Sequence, residues 1–268
     1  MRFSAHISML YADAPFLERF ERAARSGFGA VEFWWPRGED LGQVEEAARK
    51  AGLEVALFNF DAGDMPSGDR GLLSDPVRQG EFRANVPHAL TLAERLGCTR
   101  LNALVGLELP GVAREEQLDL ARENVAWAAD QAAEIGVSVL IEAVNTFENG
   151  PYLLPRTEQA AEFVHSVGRP NVKLQYDVYN MQRMEGNLAA TLSAHLDLIG
   201  HIQIADSPGR GEPGTGEINF GYLLPLVDEL GYTGFVGLEY RPAGGKSTEE
   251  SLAWLPRAAR GLAGTVAP

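Results

Sequence analysis

The chain has 268 residues, of which 45% are hydrophobic, 22% charged and 9% aromatic, the profile of an average globular protein with ample apolar material for a core. Its 37 acidic side chains outnumber 23 basic ones, and the resulting formal charge of −14 repels phosphate backbones and anionic lipid, so neither nucleic acid nor a membrane is an expected partner. One cysteine, Cys98, excludes an intrachain disulfide and a cysteine metal cluster.

The elements follow one alternating pattern. A strand over Phe3–Ser8 leads to a helix over Pro15–Ser26, and Ala30–Trp35 to Asp40–Ala51. Glu54–Phe60 leads through a long loop, Asp61–Asp75, to a helix over Val77–Leu96. Arg100–Gly106 is followed by Glu115–Ile135, Ser138–Val144 by Thr157–Val167, and Val172–Val178 by Leu188–Leu198. Ile199–Asp206 precedes Tyr222–Leu230, and Phe235–Tyr240 precedes a last helix over Ser247–Arg260. Gly27, Gly52, Gly97, Gly136, Gly168 and Gly231 each fall just past a periodic segment, as helix stops do. Eight strand–helix units without a linker-like segment predict a single α/β domain over residues 1–268, a closed (β/α)8 TIM barrel, with a doubly wound open sheet as the alternative. The start of the chain has no apolar signal-peptide region, and no apolar run reaches the roughly eighteen residues of a membrane span. These features predict a cytoplasmic protein.

Strand parity then separates two faces. Val139, Ile141 and Ala143 oppose Leu140 and Glu142; Leu174 and Tyr176 oppose Lys173, Gln175 and Asp177. Ile202 and Ile204 oppose His201 and Gln203; Val236, Leu238 and Tyr240 oppose Gly237 and Glu239. The apolar face belongs beneath the helices and the polar face inside the barrel, where polar groups need partners. Glu142, Asp177, Gln203 and Glu239 fall near the C-terminal ends of their strands, the rim that carries barrel active sites. Converging carboxylates raise one another's pKa, and a divalent cation relieves the conflict. Three carboxylates and an amide oxygen form a hard, all-oxygen donor set suited to Mg²⁺ or Mn²⁺, with Co²⁺ also compatible, rather than zinc. Separate ion pairs with arginines, or caps on the following helices, are the structural alternatives.

A set of motifs sharpens this reading. The segments Ile141-Glu142-Ala143-Val144-Asn145, Leu174-Gln175-Tyr176-Asp177-Val178-Tyr179-Asn180-Met181-Gln182 and His201-Ile202-Gln203-Ile204-Ala205-Asp206 resemble the hydroxypyruvate isomerase family. So do Gly214-Thr215-Gly216-Glu217-Ile218-Asn219 and Gly237-Leu238-Glu239-Tyr240. This family lies among the xylose-isomerase-like barrels, beside ketose 3-epimerases and 2-oxo-tetronate isomerases. The resemblance implies isomerisation of hydroxypyruvate and tartronate semialdehyde (2-hydroxy-3-oxopropanoate) through an enediolate. Glu142 and Glu239 take the acid and base roles, and Glu142, Asp177, Gln203 and Glu239 hold the metal. Asn180 stands where many members carry His; it can hydrogen-bond a substrate but cannot titrate near neutral pH. Glu148 follows Glu142 by six positions, as in the sugar epimerases' Glu-x-x-Asn-x-x-Glu. Phe33-Trp34-Trp35-Pro36 departs from the usual family segment. These departures admit a longer oxo-acid or a sugar as substrate.

A small-molecule oxo-acid needs a donor for its carboxylate, and guanidinium binds carboxylate bidentately. Arg70, in the loop after the third strand, and Arg210, after the seventh, are the candidates, with Arg183 a weaker third. His6, Glu32, Asn59 and Asn102 are candidates for facing the pocket, and His201 for a supporting role beneath the ligands. His88, His165 and His195 read as structural. Three rival functions remain in view: a zinc enzyme cutting abasic DNA, a Schiff-base aldolase using Lys173, and a non-enzymatic sugar-binding barrel. The charge and the scarcity of histidine oppose the first. Lys173, four residues before Asp177, points to the other barrel mouth and opposes the second. A homo-oligomer is compatible with the composition.

Overall fold

The computed structural model describes residues 1–261; the last residues of the domain expected over 1–268 lie outside the described residues. Eight strands, β1 (Arg2–His6), β2 (Ala30–Phe33), β3 (Glu54–Asn59), β4 (Arg100–Asn102), β5 (Ser138–Glu142), β6 (Val172–Asp177), β7 (Ile199–Ile204) and β8 (Phe235–Leu238), close in sequence order. Every neighbouring pair is parallel, and β8 returns to pair with β1. The fold is the closed TIM barrel, not an open sheet.

The helices around it start and stop for local reasons. In α1 (Phe16–Arg25), Phe20 and Ala23 turn inward. The carboxylate of Asp40 accepts from the Gln43 N–H at 3.0 Å to begin α2 (Leu41–Ala51), and Gly52, at φ 67°, ends it in the left-handed region. Gly97 ends α3 (Gln79–Leu96) in the same way, and α4 (Arg114–Ala133) covers the next strand. α6 (Thr157–Val167) stops at Gly168, while α8 (Leu188–His195) and α9 (Phe220–Glu229) follow β6 and β7.

Three differences from the sequence expectation have physical causes. The strands end sooner, because the chain leaves the ladder at the rim to build loops; β4 stops at Asn102, and Val105 instead bridges Gly71 across the mouth. Two short helices, α5 (Thr146–Asn149) and α7 (Val178–Met184), begin within a few residues of β5 and β6. The helix expected over Ser247–Arg260 is instead α10 (Thr248–Ser251), begun by a Ser247/Glu250 capping box, and two separate 3₁₀ turns. Pro256 separates those turns: it has no N–H to donate and holds Leu255 extended.

Side-chain parity follows the alternation. Val139, Ile141, Leu174, Tyr176, Ile202, Ile204, Val236 and Leu238 join the core between barrel and helices. Inside the barrel, Ala30, Ala56 and Phe235 form a separate apolar plug, with the Arg2 guanidinium 3.8 Å from the Phe235 ring centre. Lys173 lies at this mouth beside Arg100 and Ser138, its Nζ donating to the Asp197 carbonyl at 2.9 Å. Above the plug sits a buried polar layer centred on Glu32. Its Oε2 accepts from Ser4 Oγ at 2.6 Å and faces His201 Nε2 at 2.8 Å, and its Oε1 accepts from Gln203 Nε2 at 2.8 Å. Burial would raise the pKa of Glu32, but His201, His6 and Gln203 outweigh it and hold the carboxyl below its usual value.

Gly237 makes room for that layer, since a Cβ there would lie 2.2 Å from Glu32 Oε1. Gly237→Ala must therefore displace a fully buried carboxylate from its partners. We expect a loss of about 3 kcal/mol or more, read as a lower thermal midpoint; an unchanged midpoint contradicts this account of the barrel interior. Cys98 is 2% exposed, and burial pushes its thiol up to about 12. A disulfide reagent at pH 8 should leave Cys98 unmodified until denaturant is added, and rapid labelling of the native protein would show otherwise. Among the described residues no helix is long and apolar enough to cross a membrane.

Candidate active site

The strand ends place the acidic residues. β5 finishes on Glu142 and β6 on Asp177, while Glu239 directly follows β8. All three are buried, and each offers a carboxylate oxygen within 4.8 Å of the others, a group able to hold a metal ion. At that separation two like charges repel by roughly 3 kcal/mol for an effective dielectric constant of about 20. One cation answers them directly. Arg210 Nη2 donates to Asp177 Oδ2 at 2.9 Å and to Glu239 Oε2 at 2.6 Å.

Neutral donors hold the rest of each carboxylate. Glu142 Oε2 accepts from Asn102 Nδ2 at 2.8 Å and Gln175 Nε2 at 3.0 Å, and its Oε1 from Asn180 Nδ2 at 3.0 Å. Asp177 also caps α7: its Oδ1 accepts from the Tyr179 N–H at 2.8 Å, while Oδ2 takes Asn180 Nδ2 at 2.7 Å. The cap expected as an alternative role thus coexists with membership of the acidic cluster. Glu239 Oε1 accepts from the Trp34 indole at 3.2 Å and lies 3.4 Å from His6 Nε2.

The charge balance remains negative. Burial, then Glu239 and Asp177, push Glu142 well above the usual carboxylate range. Burial also raises Asp177, to about 6, with Glu239 adding to the effect and Arg210 opposing it. Burial works against the Arg210 charge, but Asp177, Glu239 and Glu142 more than offset it, so its pKa is raised. Excess negative charge held by hard oxygen donors is the environment that a divalent cation neutralises.

These groups open into a cavity of about 540 Å³ lined by Glu142, Asn180, Arg210 and Glu239 together with Trp34, Arg70 and Glu148. Gln203 lies below it, buried, with its Oε1 accepting from Gln175 Nε2 at 2.6 Å; an amide oxygen has a second lone pair to offer. Asn180 is held by the acidic groups on one side and by Asn145 Nδ2, 2.7 Å from its Oδ1, on the other. Glu148 lines the cavity and accepts from the Tyr179 hydroxyl. Arg70 and Arg210 both line it, whereas Arg183 stacks its guanidinium 5.1 Å from the Phe147 ring centre outside. Asn59 is a wall residue, His6 lies buried beneath, and His201 serves Glu32.

Sequence reasoning missed three contributors. Strand parity puts Gln175 on the inward face, but its contact with both Glu142 and Gln203 crosses three strands. Trp34 stood out only as an unusual residue; its position just beyond the end of β2 was the usable signal. Arg241, two residues past Glu239, also lines the cavity.

The loop after β7 is organised by one buried carboxylate. Asp206 Oδ2 accepts from the Gly214 and Gly216 N–H groups, both at 2.8 Å, and Oδ1 from the Ser207 and Ile218 N–H groups at 2.9 and 3.0 Å. The Gly-rich run is therefore a loop wrapped on an internal anion, and the same loop carries Arg210 to the cavity wall. Asp206→Ala should accelerate hydrogen exchange at Gly214, Gly216 and Ile218 by at least about tenfold; unchanged exchange at these amides argues against this role.

Comparison with known proteins agrees with the geometry. The family model for the xylose isomerase-like TIM barrel matches residues 20–258. The hydroxypyruvate isomerase of Escherichia coli is 42% identical over 255 residues, covering 95% of this chain and 98% of the relative. The 2-oxo-tetronate isomerase of Cupriavidus necator is 41% identical over 254 residues, covering 95% and 97%. A solved structure from Brucella melitensis, described as an AP endonuclease of family 2, has 39% identity and a TM-score of 0.89, covering 94% of this chain and 97% of that one. The chain belongs to the xylose-isomerase-like TIM barrels and, within them, to the hydroxypyruvate isomerase family. It is an enzyme, an isomerase.

Proposed function

We propose that the enzyme interconverts hydroxypyruvate and tartronate semialdehyde, with Glu142 and Glu239 as its acid/base pair. The observation that supports this best is the approach of these two buried glutamates to one another and to Asp177, with both glutamates lining one cavity. One glutamate takes a proton from the hydroxymethyl carbon of hydroxypyruvate, and the carbonyl carbon receives a proton from the other. The hydroxyl proton passes to the former carbonyl oxygen, so the change is a net shift of two hydrogens with no external oxidant. General acid–base catalysis by such groups contributes roughly 10²–10⁴-fold.

The donor set suits a hard divalent ion, and we assign Mg²⁺ or Mn²⁺, with Co²⁺ as a further fit, to Glu142, Asp177, Gln203 and Glu239. When bound it would supply Lewis-acid stabilisation of the negative charge that develops on the substrate oxygens. The protein's own groups do the rest. Asn102, Gln175 and Asn180 hold Glu142, and Trp34 orients Glu239, each through the hydrogen bonds described above. Asn180, Glu148, Arg70 and Arg210 line the cavity as contacts for a small oxo-acid.

A second reading, isomerisation of 2-oxo-tetronate, is favoured by the cavity of about 540 Å³, which is roomier than a three-carbon acid needs. It is favoured too by the relative of that activity at 41% identity. Both reactions share the proton transfer. Assayed on both acids in deuterated water, the wild type should incorporate solvent deuterium into product. Glu142→Gln and Glu239→Gln should each lose at least about 10²-fold in kcat while retaining the native circular dichroism spectrum. Chelation should abolish turnover, and Mn²⁺ or Mg²⁺ should restore it. Near-wild-type rates in either variant would falsify the two-glutamate mechanism.

A further inference from the structure

The outer wall of the cavity carries a pair of positive charges that the acid/base chemistry does not use. Arg70 is fixed in place: its Nε donates to Asn149 Oδ1 at 2.6 Å, and its Nη1 to the Met65 and Asp69 carbonyls at 2.9 and 2.7 Å. The neighbouring Gly71 locks this segment, since it has φ 118° and a Cβ there would lie 2.1 Å from the Leu104 carbonyl oxygen. Three hydrogen bonds leave Arg70 Nη2 for a ligand.

Arg241 faces the same cavity from the end of β8. Its backbone N–H donates to the Arg210 carbonyl at 2.9 Å, which ties it to the active-site loop. Among the described residues its guanidinium makes no ion pair and no hydrogen bond. Arg22, Arg37, Arg78, Arg114 and Arg169 by contrast reach carboxylates, and none of them lines this cavity. Arg210, also on the wall, commits its Nη2 to Asp177 and Glu239.

Two guanidinium groups facing one cavity repel each other, and the nearby protein carboxylates do not pair with them. Burial, and then Arg241, hold Arg70 below its usual pKa against the pull of Asp69. An anion relieves that repulsion; the hydroxyl of a neutral sugar does not.

We propose that Arg241, paired with Arg70, is the specificity-determining clamp for the substrate's carboxylate and makes this enzyme select oxo-acid anions over neutral ketoses. The inference rests on the isomerase reading above for its choice of substrate, but the clamp itself is tested by binding alone. Arg241 is the residue to change, because its side chain supports nothing else, whereas Arg70 also braces its own loop.

The experiment compares wild type, Arg241→Gln and Arg241→Lys as metal-loaded proteins. The probes are D-glycerate, which has the carboxylate, and glycerol, which replaces it with a hydroxymethyl group. Calorimetry should show wild-type binding of D-glycerate that weakens roughly 10- to 100-fold in Arg241→Gln and partly recovers in Arg241→Lys. Glycerol binding should not change between variants, nor should the thermal midpoint. In the hydroxypyruvate assay the loss should fall on KM, with kcat within about threefold of wild type. Equal affinity of wild type and Arg241→Gln for D-glycerate overturns the clamp, as does a wild type that binds no D-glycerate. Arg241-dependent glycerate binding without hydroxypyruvate or 2-oxo-tetronate turnover keeps the clamp and refutes the isomerase reading. Turnover with an unaltered KM in Arg241→Gln does the reverse.

Discussion

The structure depends on how the barrel holds Glu142, Asp177 and Glu239 together out of water. Each pair within 4.8 Å repels by roughly 3 kcal/mol, and burial adds a desolvation cost. Arg210 offsets part of this by bridging Asp177 and Glu239, and neutral amides from Asn102, Gln175 and Asn180 solvate Glu142. Enzyme sites characteristically concentrate such unrelieved charge, because the chemistry needs groups whose affinity for protons or cations has been raised.

The support is layered along the barrel axis. Below the acidic groups, Gln175 joins Glu142 to Gln203, and Gln203 joins them to Glu32. Glu32 in turn collects Ser4 and His201. A continuous polar column therefore runs from the rim to the apolar plug of Ala30, Ala56 and Phe235. The column holds Glu32 on three side chains but leaves Gln175 Oε1 and His201 Nδ1 without a partner, and a bare glycine, Gly237, makes room for Glu32, whose Oε1 a Cβ there would approach to 2.2 Å. The outer wall follows a different logic. There Arg70 and Arg241 come from loops and bring positive charge to the cavity that Glu142 and Glu239 also line.

Much of this was legible in the order of residues. Alternation in β5 to β8 separates Ile141 from Glu142 and Leu238 from Glu239 because a strand's side chains alternate strictly between faces, and glycines such as Gly52 and Gly168 end helices because they accept a left-handed backbone. Those local rules yield eight strands, eight following segments and four polar residues at one rim. They fail where tertiary contacts prevail. The pieces that replace a helix over Ser247–Arg260 reflect Pro256 as well as docking against β1, where Trp254 meets Phe3 edge-on. The sequence offers Arg210 as a donor for a substrate carboxylate, but its loop is wound on Asp206 and the guanidinium reaches Asp177 and Glu239.

The sequence by itself determined the barrel, the inward face of each strand, the acidic residues at the rim and the family to which the chain belongs. Periodicity and motif spacing are local properties, so they survive without coordinates. Only the tertiary structure decided which groups meet across the barrel: Gln175 between Glu142 and Gln203, Trp34 on Glu239, and Arg241 in the same cavity as Arg70. Those partners come from strands and loops far apart in the chain. Closure of the barrel brings them together, and no spacing along the sequence encodes that distance.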